Sequence, residues 1–187
     1  MSTFFDTCKR NFKDVPVVDD KVSTTEFLEA SESVVQLFDV LGSTAFVPVQ
    51  RDMTGNIKKI RDAQLAHPAT SGTLQEIADS DPTAAEGLLW LNRGLEFTSL
   101  ALRKNVDSNE ELTASFTSSY NDSLKKHHNM IVRGIFSVAM KACPYRADFY
   151  KKLGDDQAAV ETKMKEWLAA LEKIVGILNV YLAAKKI

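Results

Sequence analysis

The sequence predicts an all-α fold of about eight helices. Three observations lead there. Apolar residues recur at three- and four-residue intervals in run after run, no stretch alternates apolar and polar residues with the period of two that a half-buried strand needs, and Gly or Pro closes most of the periodic runs. At 187 residues the chain suits one domain, residues 1–187, with a sizeable core.

The elements follow in order. Phe4, Cys8 and Phe12, with Phe5 alongside, mark a short amphipathic helix over residues 3–12. Residues 14–22, with Pro16 and an Asp pair, form a connector. Ser23 followed by Glu26 has the spacing of a capping box, opening a helix whose face holds Phe27, Ala30, Val34, Leu37, Phe38 and Leu41, and Gly42 stops it. After a bend over residues 43–48, a helix runs from about Val49 to Ala66, ended by Pro68. Gly55 inside it costs up to about 1 kcal/mol against Ala, so a close approach by another group is expected there. A weaker helix covers residues 73–78. Asp81 as cap with Pro82 in the first turn starts the next, through Leu88, Leu91, Leu95 and Leu102. Residues 105–109 read as a polar loop. The longest helical pattern then spans residues 110–142, through Leu112, Phe116, Tyr120, Leu124, Ile131, Ile135 and Val138, until Pro144. Residues 148–153 are a short helix closing at Gly154. The last carries Val160, Met164, Trp167, Leu171, Ile174, Leu178 and Tyr181.

Composition excludes several classes of function. With 23 basic against 25 acidic residues there is no electrostatic footprint for nucleic acid. Two scattered cysteines, Cys8 and Cys143, supply neither a disulfide framework nor a thiolate metal site, and favour a reducing, cytoplasmic setting. The first ten residues lack the apolar run and cleavage site of a secretory signal, and no stretch reaches the ~20 apolar residues of a spanning helix. A soluble protein that meets membranes only at their surface is expected.

Chemistry gathers first on the helix after residue 48. At about 100° per residue, Asp52, Asn56 and Lys59 fall within a sector of roughly 60°, beside an apolar stripe of Val49, Met53, Ile57 and Ile60. The row offers an anionic acceptor, an amide that donates and accepts, and a cationic donor, the set that grips vicinal hydroxyls of a sugar. A solvated flank with i,i+4 pairing is the alternative. Trp90 is either a core aromatic or an indole face for the apolar side of a pyranose, and Arg93, one turn on, is placed to brace an acid of the row. His128 follows His127. On a helix the two point about 100° apart, unlike an i,i+4 zinc pair, so no metal site is expected. A neutral His128 donating to a buried carbonyl is one use; a core-edge position is the other. No nucleophile elbow or phosphate loop is present, and a binder is favoured over an enzyme.

Several blocks stand together in one order: Phe27-Leu28-Glu29-Ala30, the run from Leu37 to Ser43, Asp52-x-x-Gly55-Asn56-Ile57-x-Lys59, Leu89-Trp90-Leu91-x-Arg93-Gly94-Leu95, Leu124-Lys125-Lys126-x-His128, Ile131-Val132, Ile135-Phe136, and the run from Pro144 to Phe149. Over residues 25–149 the chain resembles the glycolipid transfer protein family. Its opening, Phe4-Phe5-Asp6-Thr7, is most similar to the fungal heterokaryon-incompatibility members.

The resemblance implies a two-layer helical sandwich enclosing an apolar lipid pocket. It implies a monomeric, non-enzymatic carrier that needs no cofactor or metal and takes a glycosphingolipid (glucosyl-, galactosyl- or lactosylceramide) from a membrane by transient surface contact. By the same match Asp52, Asn56 and Lys59 bind the first sugar and Trp90 stacks on it. Asp52 also accepts from the ceramide amide N–H, His128 donates to the amide carbonyl, and Phe38, Phe46, Phe136 and Met140 line the hydrocarbon pocket. Two positions depart from the family pattern. Met130 stands where a membrane-facing aromatic is frequent, and Lys185-Lys186-Ile187 stands where some members place an aromatic near the sugar. Two rivals are a ceramide-1-phosphate carrier, which Trp90 and Asn56 oppose because a phosphate wants Arg and Lys, and a glycolipid sensor acting through a protein partner.

Overall fold

The computed structural model describes residues 1–187 and is all-α, with nine α-helices in the two-layer arrangement and one hairpin of two-residue strands. The helices are α1 (Phe4–Thr7), α2 (Thr24–Leu41), α3 (Val47–Ala66), α4 (Leu74–Ser80), α5 (Pro82–Ser108), α6 (Leu112–Asp122), α7 (Met130–Lys141), α8 (Arg146–Leu153) and α9 (Gln157–Ala184). α5 is the central member, packed on α3, α4, α6 and α9. Its Leu88, Leu91, Leu95 and Leu102 are all buried, each worth roughly 1.5–3 kcal/mol of transfer free energy. One apolar cluster of 48 residues connects all the layers.

Several boundaries match the local chemistry. Gly42 ends α2 in the left-handed region at φ 77°. The Asp81 carboxylate accepts from the N–H groups of Thr83 and Ala84, with Pro82 in the first turn of α5. α9 has the length and composition of a membrane span, contrary to expectation. Yet Val160, Met164, Trp167, Leu168, Leu171, Ile174 and Leu178 form one buried side, while Glu161, Glu166 and Lys173 face water, the pattern of a core helix.

Other expectations are corrected. The N-terminal helix is only α1; Thr3 N and Oγ1 both donate to Asp6, and residues 12–14 form a separate 3₁₀ turn. The Ser23 side chain makes no capping bond; its backbone instead bridges to Thr73. Residues 17–22 are a hairpin, β1 (Val17–Val18) and β2 (Lys21–Val22), turned by Asp19 and Asp20 at φ 51° and 58°. Two residues per strand leave no alternation to read. Gln75 holds this hairpin on α4, accepting from Val22 N and donating to Asp20 O. The polar stretch at 105–109 continues α5, because Asn105 Nδ2 is buried and satisfied by Glu110 O and Ser115 Oγ at the start of α6. The long pattern at 110–142 is two helices. Ser123 closes α6 with its hydroxyl on Ser119 O, residues 125–127 form a 3₁₀ turn, and Asn129 caps α7 by accepting from Val132 N.

Candidate functional site

A cleft of about 190 Å³ opens where α3, α5 and α7 meet the segment between α6 and α7. α3 contributes Pro48, Val49, Asp52 and Met53, α5 contributes Trp90, Gly94 and Phe97, and α7 contributes Val132, Ile135 and Phe136; Leu124 and His128 close it. Asp52 and His128 supply its polar edge; the other walls are apolar.

Each side chain has a local reason for its place. Asp52 lies on the rim of α3 and accepts from Asn56 Nδ2 at 3.3 Å, one turn on, with Asn56 itself buried. The cleft walls desolvate Asp52 and raise its carboxyl above the usual carboxylate range, and the Lys59 charge pulls the other way. Lys59 is further along the same rim. Its Nζ is 3.8 Å from Glu86 on α5, and it does not line the cleft. Gly87 follows Glu86, and a Cβ there would stand 3.0 Å from Lys59 Cβ and 3.2 Å from Asn56 O. The close approach expected at Gly55 is therefore found here: Gly55 has nothing within 4 Å of an added Cβ.

Trp90 is half-buried on α5. The Arg93 guanidinium lies over its ring, 4.6 Å from the centroid, and the His128 ring lies nearly parallel to the indole at 5.9 Å. Arg93 has no carboxylate within ion-pair distance, so the expected brace to an acid of the row is not made. His128 is in extended backbone after the 3₁₀ turn, not on a long helix, and this lets its ring turn inward while the His127 ring meets Trp90 edge-on. Burial, then the neighbouring charges of His127, Arg133 and Arg93, lower the His128 pKa, so the imidazole is neutral at neutral pH.

The apolar residues divide. Phe136 lines the cleft; Phe38, Phe46 and Met140 are buried and do not line it. Phe38 and Phe46 pack at 5.6 Å. Phe38 also borders a closed gap among Leu37, Leu41, Thr98, Leu102, Phe116 and Phe149, too narrow for a water molecule. The structure thus brings Asp52, Trp90, His128 and Phe136 to one opening, attaches Asn56 through Asp52, and sets Lys59 at the rim. Sequence reasoning missed Glu86, Gly87 and Tyr120. The helical pattern shows Tyr120 only as one of its apolar or aromatic positions, although a buried Tyr normally has a partner for its hydroxyl, and here it meets His128 Nδ1 at 3.1 Å.

Comparison with known proteins gives this geometry a setting. Residues 22–155 match the family described as Glycolipid transfer protein (GLTP). A glycolipid transfer protein of Aureobasidium melanogenum is 60% identical over 98% of this chain and 94% of its own length. The crystal structure of HET-C2, a fungal glycolipid transfer protein, superposes with a TM-score of 0.94 at 53% identity, covering 97% of each chain. FAPP2, described as selecting simple glycosphingolipids with the GLTP fold, gives 0.87 at 31% identity over 97% of this chain and 95% of that one. By matched length, identity and fold together, the chain belongs to the glycolipid transfer protein family.

Proposed function

We propose that this protein binds glycosphingolipids and carries them between membranes without chemical change, residues 1–187 working as one domain in the cytoplasm. The observation that carries the reading is the cleft itself, where Asp52, Trp90 and His128 edge an opening whose other walls are apolar. A ligand with a hydroxyl-rich head, an amide and hydrocarbon tails has a matching partner for each part. The Asp52 carboxylate, held by Asn56, accepts from sugar hydroxyls and the ceramide amide N–H, and Lys59 donates from the rim. His128 donates to the amide carbonyl. The sugar's apolar face takes the place of Arg93 on Trp90, displacing a half-buried cation–π contact worth about 0.5–2 kcal/mol. In this reading Asp52 only accepts and His128 only donates hydrogen bonds to the ligand, which suits carriage rather than catalysis.

The hydrocarbon needs more space than about 190 Å³, since pockets for ligands of modest size run to ~300–1,000 Å³. Phe38, Phe46 and Met140 are the apolar walls that the tails would part. Exposed hydrocarbon costs about 0.8 kcal/mol per CH₂ in water, which drives the tails inward. α7 is the wall best placed to move. Its Val132 and Ile135 face the cleft, while Met130, Ile131 and Val138 are exposed, with Lys125, Lys126, Arg133 and Lys141 around them. That face is proposed to rest on the membrane during exchange. Vesicle-to-vesicle transfer of glucosylceramide tests the reading, and absence of transfer by the folded protein would overturn it.

A further inference from the structure

Tyr120 and His128 come from different elements, α6 and the extended segment before α7, and meet inside the wall of the cleft. The Tyr120 hydroxyl and His128 Nδ1 are 3.1 Å apart, and Tyr120 is buried. Aromatic neighbours hold the imidazole plane: Trp90 lies nearly parallel to it at an interplanar angle of 11°, and Phe136 is 4.8 Å away. Phe136 is in turn stacked on the Tyr120 ring at 5.0 Å. Rotation of the ring is restricted on every side that these residues occupy.

Proton accounting decides the direction of the bond. A neutral imidazole has one N–H. If Nδ1 carried it and donated to the Tyr120 oxygen, the buried hydroxyl hydrogen would have no acceptor, because Tyr120 makes no other hydrogen bond. Nε2 would then be an acceptor in the cleft. With Tyr120 donating to Nδ1, every proton is accounted for and Nε2–H is free to donate.

We infer that Tyr120 is a positioning residue: its hydroxyl donates to His128 Nδ1, fixes the Nε2–H tautomer and presents that N–H to an amide carbonyl in the cleft. The inference rests on the reading of His128 as the carbonyl donor. It narrows the ligand class to lipids that place an acceptor at this depth, an N-acyl carbonyl above all.

The test combines ring ¹⁵N spectra of His128 at neutral pH with transfer by Tyr120→Phe and His128→Ala. The wild-type ring should show the Nε2–H pattern, and Tyr120→Phe should show mixed tautomers with an unfolding midpoint lowered by no more than about 2–4 °C. Tyr120→Phe should transfer glucosylceramide about fivefold more slowly, as for one lost hydrogen bond, while its binding of glucosylsphingosine, which lacks the amide carbonyl, stays at the wild-type level. A wild-type Nδ1–H ring, or equal losses for both lipids, overturns the positioning role. So does normal glucosylceramide transfer by Tyr120→Phe when His128→Ala is impaired. Normal transfer by His128→Ala would overturn the carbonyl reading itself, and the inference with it.

Discussion

At Asp52 the proposed headgroup contact and the stability of the fold pull apart. Desolvation by the cleft walls raises its carboxyl in the folded chain although the residue stands at the surface, so the folded state holds this proton more readily than the unfolded one, and the ionised group reduces stability as pH rises through that raised pKa. Asn in its place removes that effect and keeps the shape. Asp52→Asn should therefore unfold at the same temperature or slightly higher, yet transfer glucosylceramide about tenfold or more slowly, as expected for lost bonds to a charged acceptor. Wild-type transfer should also fall on acidification, beginning at a higher pH than an ordinary Asp near 3.8 would give, and the variant should lack that limb. Transfer within twofold of wild type by the variant at neutral pH would remove Asp52 from the site. Trp90 gives a second test by fluorescence. Trp167 is packed against Phe5 and Phe12, away from the cleft lining, so Trp90→Ala should abolish most of the emission change caused by glycolipid. An undiminished response would refute stacking. The polar row was legible because Asp52, Asn56 and Lys59 lie on one helix, where a fixed angle per residue places them. The contacts of Arg93 and Tyr120 were not, because they depend on how one element meets another.

At the scale of elements, the glycines show the same division. A glycine inside α3 was visible as a local cost, and proximity to another group was the natural reason, but the contact belongs to Gly87 on α5. Only the crossing of two helices identifies which glycine is squeezed. Opposite outcomes follow. Gly55→Ala should stabilise the protein by about 0.5–1 kcal/mol in chemical denaturation, with transfer nearly unchanged, since its Cβ meets nothing within 4 Å. Gly87→Ala should lose about 1 kcal/mol or more and slow transfer, because its Cβ presses on Asn56 O and Lys59 Cβ, under the polar row of α3. If both changes stabilise, the crossing has slack and Gly87 does not set the position of Lys59. The break between α6 and α7 teaches the complementary lesson. Leu124 and Ile131 kept the helical period across it, so periodicity concealed a turn that Ser123 and Asn129 made through side-chain bonds. That turn is what lets His128 face inward.

For the whole molecule, the charge distribution around the cleft predicts which lipid heads it takes. The polar edge holds one carboxylate, Asp52, and a neutral imidazole. Lys59 faces Glu86 at 3.8 Å, so its charge is shared with a second acid, and Arg93 lies on Trp90 without a carboxylate partner. A phosphate placed against Asp52 would set like charges together in a partly desolvated site, at several kcal/mol by simple Coulomb arithmetic, and neither Arg93, on Trp90, nor Arg133, near His128, is set against Asp52, whose one compensating charge is Lys59. A neutral sugar incurs no such repulsion and uses the same groups as donors and acceptors. Neutral monohexosyl- and dihexosylceramides should therefore move between vesicles at neutral pH at least tenfold faster than ceramide-1-phosphate. The double change Asn56→Lys with Trp90→Arg removes the stacking face and adds two cations, and should slow glucosylceramide while narrowing that ratio. Raising salt should leave the neutral lipids' preference intact, because the groups at the cleft edge are partly shielded from bulk ions. Equal transfer of ceramide-1-phosphate and glucosylceramide by the unmodified protein would show that Asp52 does not face the lipid head.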